Sequence, residues 1–339
     1  MTDPPRPMRA AVIGLGMMGT AHARVWDDLV EGVELVAVAD SDPHALHVAT
    51  EAHEAGGVRG YTDAAALFAA EQLDLVSVVV PTSLHLATTL AALDAGAHVL
   101  VEKPIAASRA EAEQMMAAAR QADRMLTVGH IERFNPAIRE LRRRLAAGEL
   151  GRIFEIRATR LGPFPARIRD VGVVVDLAPH DLDVMRYLLD SDPIRIYAET
   201  ERRIHTDHED LFVGVLKFAN GAVGVLDINW LTPTKQRTLT ITGERGMYTA
   251  DYLAQELVFH PNAAPHGTVS VGERIERQIE RREPLAIELD EFARAARDGG
   301  AAPVDPHEAM VALLLARAMV ESARTGTVIA GEELAAVLR

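Results

Sequence analysis

In the stretch VGVVVDLAPHDLDVMRYLL, Val171 to Leu189, an acid and an imidazole stand four residues apart among apolar side chains. Charge in apolar surroundings is costly unless it is partnered or used, so Asp176 and His180 need a counterpart or a task. On a helix that spacing brings both to one face. There a carboxylate can orient and charge-support an imidazole whose other ring nitrogen faces a substrate. An imidazole so held is a general base for the proton of an alcohol. The plainer reading has Asp176 capping the helix and His180 satisfied inside it, with Asp181 and Asp183 as helix-start acids favoured by the dipole.

A second reactive group closes the apolar run HVLVEKPIAAS, which ends in Glu102, Lys103 and Pro104. In a doubly wound sheet, ligands bind beyond the carboxyl ends of the strands, so Lys103 at such an end points into the ligand crevice. An amine there can donate to a substrate oxygen, although a lysine can also simply close a strand with Pro104 starting the next helix. The partner of such chemistry is announced by VIGLGMMGTAHARVW. Gly14, Gly16 and Gly19 have G-x-G-x-x-G spacing, with Met17 and Met18 completing the turn. The first glycine permits the turn, the second lets a pyrophosphate approach, and the third seats helix on strand. Asp40 ends the next strand, where an acid accepts from the ribose 2′-hydroxyl. Ser41 and Asp42 come after it with no cation, so the expected cofactor is NAD rather than NADP.

These groups must be held by regular elements. From Arg9 to Val101, short β-branched runs alternate with Ala-rich helical stretches, the signature of a parallel sheet with right-handed crossovers. After about residue 128 the strands lengthen and alternate, with hairpin signals at Asn220-Gly221 and from Gly243 to Gly246, which predicts an antiparallel sheet. Helices near Leu285 to Arg297 and Pro306 to Thr325 close the chain. The expected fold class is α/β, with an N-terminal Rossmann domain (9–128) and a C-terminal α/β domain carrying a large, mostly antiparallel sheet (129–339). Residues 1–8 are expected to form a disordered, Pro-rich tail. At 339 residues two domains are the default, and a composition that is 48% hydrophobic but only 4% aromatic suits aliphatic helices packed on sheets.

The combination of the Gly-rich turn, EKP at a strand end, VGHIERFNPA after the sixth strand and DLAPHDLD resembles the Gfo/Idh/MocA family of glucose-fructose oxidoreductase and inositol dehydrogenase. The resemblance spans nearly the whole chain. It implies that Lys103, Asp176 and His180 surround a reactive carbinol, with the amine and the imidazole converging over one nicotinamide ring. It also implies cofactor contacts from Glu102, Lys103, Pro81, Thr82 and His85. Here the sequence departs from the family's usual Pro-Asn or Pro-Pro, since the segment reads PTSLH. VGHIERFNPA and VVVDLAPHDLDVMRYLL are similar to members that oxidise the 3-hydroxyl of UDP-N-acetylglucosamine and related nucleotide sugars.

A charged substrate fits RATRLGPFPARIRD, which places Arg157, Arg160, Arg167 and Arg169 ahead of the Asp-His step. Guanidinium forks suit a diphosphate, with Arg160 and Arg167 as the expected contacts; ordinary ion pairs are the alternative. His130, Arg133 and Asn135 are further substrate candidates, although Asn135-Pro136 also reads as a helix start. A free sugar or inositol would leave the arginines idle, and a non-catalytic dinucleotide or sugar sensor would need no proton path. The net charge of −14 argues against general affinity for nucleic acid or anionic membrane, and no cysteine is present for disulfides or thiolate chemistry. HTDHED at His205 to Asp210 lacks a recognised ligand spacing, so no metal is expected. The expected setting is cytoplasmic, as a homodimer or homotetramer.

Overall fold

A computed structural model describes residues 6–165, 171–204, 207–262 and 272–338. The chain divides into two compact units, Met1–Ile131 with Glu283–Met310, and Glu132–Arg282 with Val311–Arg339.

In the first unit the order is β1 (Met8–Ile13), α1 (Met17–Asp28), β2 (Val33–Ala39), α2 (Pro43–Ala52), β3 (Arg59–Tyr61), α3 (Ala64–Ala70), β4 (Leu75–Val78), α4 (Thr82–Asp94), β5 (His98–Glu102), α5 (Arg109–Ala122) and β6 (Leu126–Gly129). Among the described residues these strands form a parallel sheet in the order β3-β2-β1-β4-β5-β6. The order reverses between β1 and β4, which makes the carboxyl ends of these strands the ligand-binding edge of a doubly wound fold. Every residue of β4 is buried, as is the centre of β5, because helices cover both faces; this is why the strands read as unbroken apolar runs.

The second unit runs α6 (Pro136–Ala146), β7 (Ile153–Pro163), α7 (Val173–Leu189), β8 (Pro193–Glu201), β9 (Leu211–Phe218), β10 (Val223–Asn229), β11 (Leu231–Gly243), β12 (Gly246–Asp251), β13 (Glu256–Pro261) and β14 (Ile275–Arg277). The chain continues through α8 (Pro284–Asp298), α9 (Pro306–Thr325), β15 (Ile329–Ala330) and α10 (Gly331–Leu338). Among the described residues the second sheet has the order β14-β13-β12-β11-β7-β10-β9-β8-β15, antiparallel except where β10 meets β7. Its strands alternate buried and accessible positions, as in β9, because one face carries the core. Phe212, Leu216, Ile156, Ala158, Leu226 and Ile228 pack there with Val174, Leu182 and Met185 of α7. At the β9 to β10 hairpin Gly221 takes a φ of +92°, open to glycine at little cost, and Asn220 accepts from the Ala222 N–H at 3.0 Å.

Two divisions differ from the sequence reading: Met8, expected in the disordered tail, opens β1 and pairs with Val33 of β2, and a C-terminal segment changes unit. Glu283–Met310 belongs with the first unit rather than the second. The reason is apolar: Leu285, Leu289 and Phe292 of α8 join Val12, Trp26, Leu35 and Leu75 in one buried cluster, with the Trp26 and Phe292 rings 6.2 Å apart. Among the described residues, no helix is long and apolar enough to cross a membrane.

Phe292→Ala should therefore destabilise the protein by about 3–5 kcal/mol, the usual cost of emptying a buried aromatic site. Urea unfolding followed through Trp26 fluorescence checks it, and an unchanged midpoint would contradict the assignment of α8 to the first core.

Candidate active site

The turn between β1 and α1 is built by close backbone approach. Gly14 has a φ of +95°, and a Cβ there would lie 2.5 Å from the Val79 carbonyl oxygen. A Cβ on Gly19 would lie 1.8 Å from the Gly14 carbonyl oxygen, so neither position accepts a side chain. At Gly16 a Cβ would meet nothing within 4 Å. Gly16 also begins α1 with no side-chain cap and no acid in the first turn. Open space before bare helix N–H groups fits the pyrophosphate of a dinucleotide. Met17 and Met18 come next, Met17 being 68% exposed. Asp40, just past β2, is fastened at both oxygens: it accepts from the Leu15 N–H at 2.5 Å and the Asp42 N–H at 2.8 Å.

β5 delivers Glu102 and Lys103 to the same edge of the sheet. The Glu102 side chain is 12% exposed; one oxygen lies 3.2 Å from His22 Nε2 and the other accepts from the Lys103 N–H at 3.1 Å. Burial opposes its charge, yet the His22 hydrogen bond and Lys103 outweigh that and hold its carboxyl below the ordinary range. Lys103 itself is part-exposed, and its bond to Pro104 is cis. Pro81 caps α4, and Thr82 opens it. His85 is 1% exposed, with Nδ1 2.9 Å from the Pro104 carbonyl and Nε2 2.9 Å from that of Val80. It ties the end of β4 to the turn that carries Lys103. Burial holds its pKa below the ordinary value despite those carbonyls. His130, just past β6, is also buried.

In the second unit, α7 is capped by Gly172 rather than by Asp176, which lies within its first turn. The start of the helix is held from outside, for Val173 N–H donates to the Glu209 carbonyl at 2.9 Å and Val174 N–H to the Glu209 carboxylate at 3.3 Å. Asp176 and His180 lie one turn apart, Asp176 N–H bonding the Gly172 carbonyl and Pro179 sitting within the helix. From Val173 to Leu189 the helix is buried except at Val175, Asp176, Leu177, His180 and Tyr187. The carboxylate and the imidazole are therefore the accessible polar groups of its first two turns, the arrangement a base and its orienting acid require.

Residues 8–130 match the model of an oxidoreductase family with an NAD-binding Rossmann fold, and 138–249 match the Gfo/Idh/MocA C-terminal domain. UDP-N-acetylglucosamine 3-dehydrogenase of Acidithiobacillus ferrooxidans is 33% identical over 85% of this chain and 88% of its own. The chain belongs to the Gfo/Idh/MocA oxidoreductase family. Myo-inositol 2-dehydrogenase of Thermotoga maritima is 27% identical over 93% of this chain and 96% of its own. The solved structure of the Acidithiobacillus enzyme superposes with a TM-score of 0.83 at 27% identity, covering 95% of this chain and 99% of that one. As a Gfo/Idh/MocA member this protein is an NAD-dependent dehydrogenase, and the open Gly16 turn fits that cofactor.

For this oxidoreductase the described arginines take the ion-pair alternative, not the diphosphate contact expected of Arg160. Arg160 is 3% exposed; its Nε and Nη2 donate to Asp181 at 2.7 and 3.0 Å, and its Nη1 to Glu132 at 2.9 Å. Burial opposes its charge, but the two carboxylates keep it protonated. A guanidinium with three donors spent on protein carboxylates is a fixed strut, not an open diphosphate clamp. Arg133 likewise donates to both oxygens of Asp183, at 2.7 and 2.6 Å. Asp181 and Asp183 are thus buried ion-pair partners in mid-helix rather than helix-start acids. Asn135 caps α6, accepting from Ala137 N–H at 3.0 Å and donating to the Tyr252 carbonyl at 3.0 Å. Arg157 faces Glu155 at the surface. Arg167, Arg169 and His205 lie outside the described residues. Among the described residues no group of three metal-type ligands gathers.

Two groups escaped the sequence reading. His22, three residues past Gly19, reaches Glu102, and its motif position was the available signal. Arg237, opposite Arg160 in the β11 to β7 register, has a side chain 37% exposed and one longer contact, 3.9 Å to Glu132. Burial and Arg160 lower its pKa, while Glu132, Asp181 and Asp176 act the other way. A part-exposed guanidinium near Asp176 had no sequence signal, because β11 supplies it from 61 residues downstream, 237 against 176.

Arg160→Ala should cost about 3–5 kcal/mol by stranding Asp181 and Glu132, seen as a lower urea midpoint; a wild-type midpoint with a raised KM would restore the clamp. A pH effect arises from the two depressed histidines, His85 and His98, both held down chiefly by burial. The unfolded chain takes up their protons first. Stability is thus complete above the unfolded value of about 6.5 and is lost as pH falls through it. The thermal midpoint should drop from pH 7 to pH 5, and the drop should shrink in His85→Gln.

Proposed function

We propose that this dehydrogenase oxidises a ring hydroxyl, at C3, of a nucleotide sugar such as UDP-N-acetylglucosamine. The observation that carries the reading is the Asp176 and His180 pair, the accessible polar groups on the first two turns of an otherwise buried helix. NAD, when bound, supplies the acceptor for the hydride from the carbinol carbon. His180 takes the hydroxyl proton on a ring nitrogen, and Asp176 orients the ring and supports its charge. Lys103 donates a hydrogen bond to the oxygen as negative charge builds on it. Gly14, Gly16, Met17, Met18 and Gly19 shape the dinucleotide turn, and Asp40 takes the ribose hydroxyls with its remaining lone pairs.

The substrate class draws support from the Acidithiobacillus relative, whose name specifies UDP-N-acetylglucosamine. Arg237 takes over the role of anion contact that Arg160 and Arg133 have given up to internal carboxylates. Inositol is the second reading. It is favoured by the Thermotoga relative's near-complete coverage and by the internal pairing of those two arginines. Val213 and Val215, 41% and 43% exposed on the outer face of the second sheet, support self-association through that face.

Reduced cofactor formed from NAD, measured at 340 nm, should appear with UDP-N-acetylglucosamine and fall by at least a hundredfold in Lys103→Met and His180→Asn, the scale of a lost acid-base or oxyanion contact. Arg237→Ala should raise KM about tenfold or more for the nucleotide sugar alone, the loss of a charge-assisted hydrogen bond. Turnover of myo-inositol instead, indifferent to Arg237→Ala, would select the second reading.

A further inference from the structure

The first unit holds a buried titratable side chain that the chemistry above leaves unused. His22 lies on α1, the helix opened by the glycine turn, and is fully buried. Its Nδ1 is 3.1 Å from Ser77 Oγ on β4, and its Nε2 is 3.2 Å from Glu102 Oε1 at the end of β5. Trp26, one turn further along α1, donates its indole N–H to the same Ser77 oxygen at 2.9 Å.

The two ends of this chain of hydrogen bonds have fixed directions. The indole can only donate, and an ionised carboxylate can only accept. Glu102 therefore receives the His22 Nε2–H and Ser77 Oγ accepts from Trp26, while the proton between His22 Nδ1 and Ser77 Oγ follows the imidazole's protonation. One neutral tautomer of His22 satisfies all four groups. The other oxygen of Glu102 then meets the backbone N–H of Lys103 at 3.1 Å. The carboxylate lies close over Gly129 of β6, where a Cβ would come within 2.8 Å of Oε1, so only a glycine leaves room for it there. Carboxylate orientation is thus fixed by α1, β4 and β6 together.

We propose that His22, backed by Ser77 and Trp26, is a positioning residue for the Lys103 amine, acting through the Glu102 carboxylate. The buried hydrogen-bond chain keeps a negative charge beside Lys103 in one orientation, and that charge holds the amine in place as a donor. The titratable groups acting on Glu102 are His22 from α1, Lys103 beside it and His85 from α4. The inference rests on the reading of Lys103 as the donor to the substrate oxygen.

The protein contains three lysines, Lys103, Lys217 and Lys235, so reductive ¹³C-methylation of the full-length protein gives few resonances, with Lys103 assigned from Lys103→Arg. In Glu102→Gln and in His22→Phe the Lys103 resonance should move away from its wild-type position at pH 7, the effect of losing or turning a nearby opposite charge. His22→Gln, whose amide still donates toward Glu102, should recover most of the difference, and Ser77→Ala serves if His22→Phe fails to fold. With NAD and UDP-N-acetylglucosamine, kcat should fall about tenfold in His22→Phe with KM little changed, and the fall should not add to that of Glu102→Gln. A Lys103 resonance and kcat unchanged in both His22→Phe and Ser77→Ala, alongside an inactive Lys103→Met, would overturn the positioning role and leave the donor reading intact. An active Lys103→Met would remove the donor reading itself.

Discussion

A charge taken out of water must find its counterpart within hydrogen-bond reach, and the placement of ionised groups in both units obeys that constraint. Glu102 meets His22 at the end of the parallel sheet, and Arg160 meets Asp181 and Glu132 beneath the second sheet's core face. Arg133 and Asp183 repeat the pattern. Because each pair joins different elements, α1 to β5 or β7 to α7, a charge cannot shift without moving the element it fastens. The rigid parts of the fold are cross-braced by the very groups that an apolar interior tolerates least.

The functional candidates are the polar groups that this bracing leaves accessible. α7 buries Asp181 and Asp183 in ion pairs and turns Asp176 and His180 outward. β5 buries its apolar centre, sets Glu102 against His22 at its end and is followed by a part-exposed lysine. The two kinds of charge use the same residue types and stand within a few positions of one another. Geometry alone separates the brace from the reagent.

That is why the sequence was legible in some places and opaque in others. The glycine turn could be read because each glycine answers a local demand, a positive φ at Gly14 or a backbone approach at Gly19, within a few residues of chain. Strand periodicity announced a parallel sheet followed by an antiparallel one. The arginines could not be sorted, since Arg160 and Asp181 are 21 positions apart and Arg133 and Asp183 are 50. Nor could α8 be assigned, because its apolar stripe finds Trp26 more than 250 positions away, 292 against 26. His22 sat in view within the glycine motif, yet its meaning lay 80 positions downstream in Glu102.

Asp40 carries two duties on one carboxylate. The oxygens that discriminate between dinucleotides in the proposed role also anchor the amides of Leu15 and Asp42, so the selectivity determinant is a keystone of the loop around the phosphates. Exchanging it for a small neutral residue to welcome a 2′-phosphate would loosen the loop in the same stroke. Any natural or engineered change of coenzyme in this scaffold therefore has to travel as a coupled set, with a new acceptor for the Leu15 amide arriving alongside the new cation.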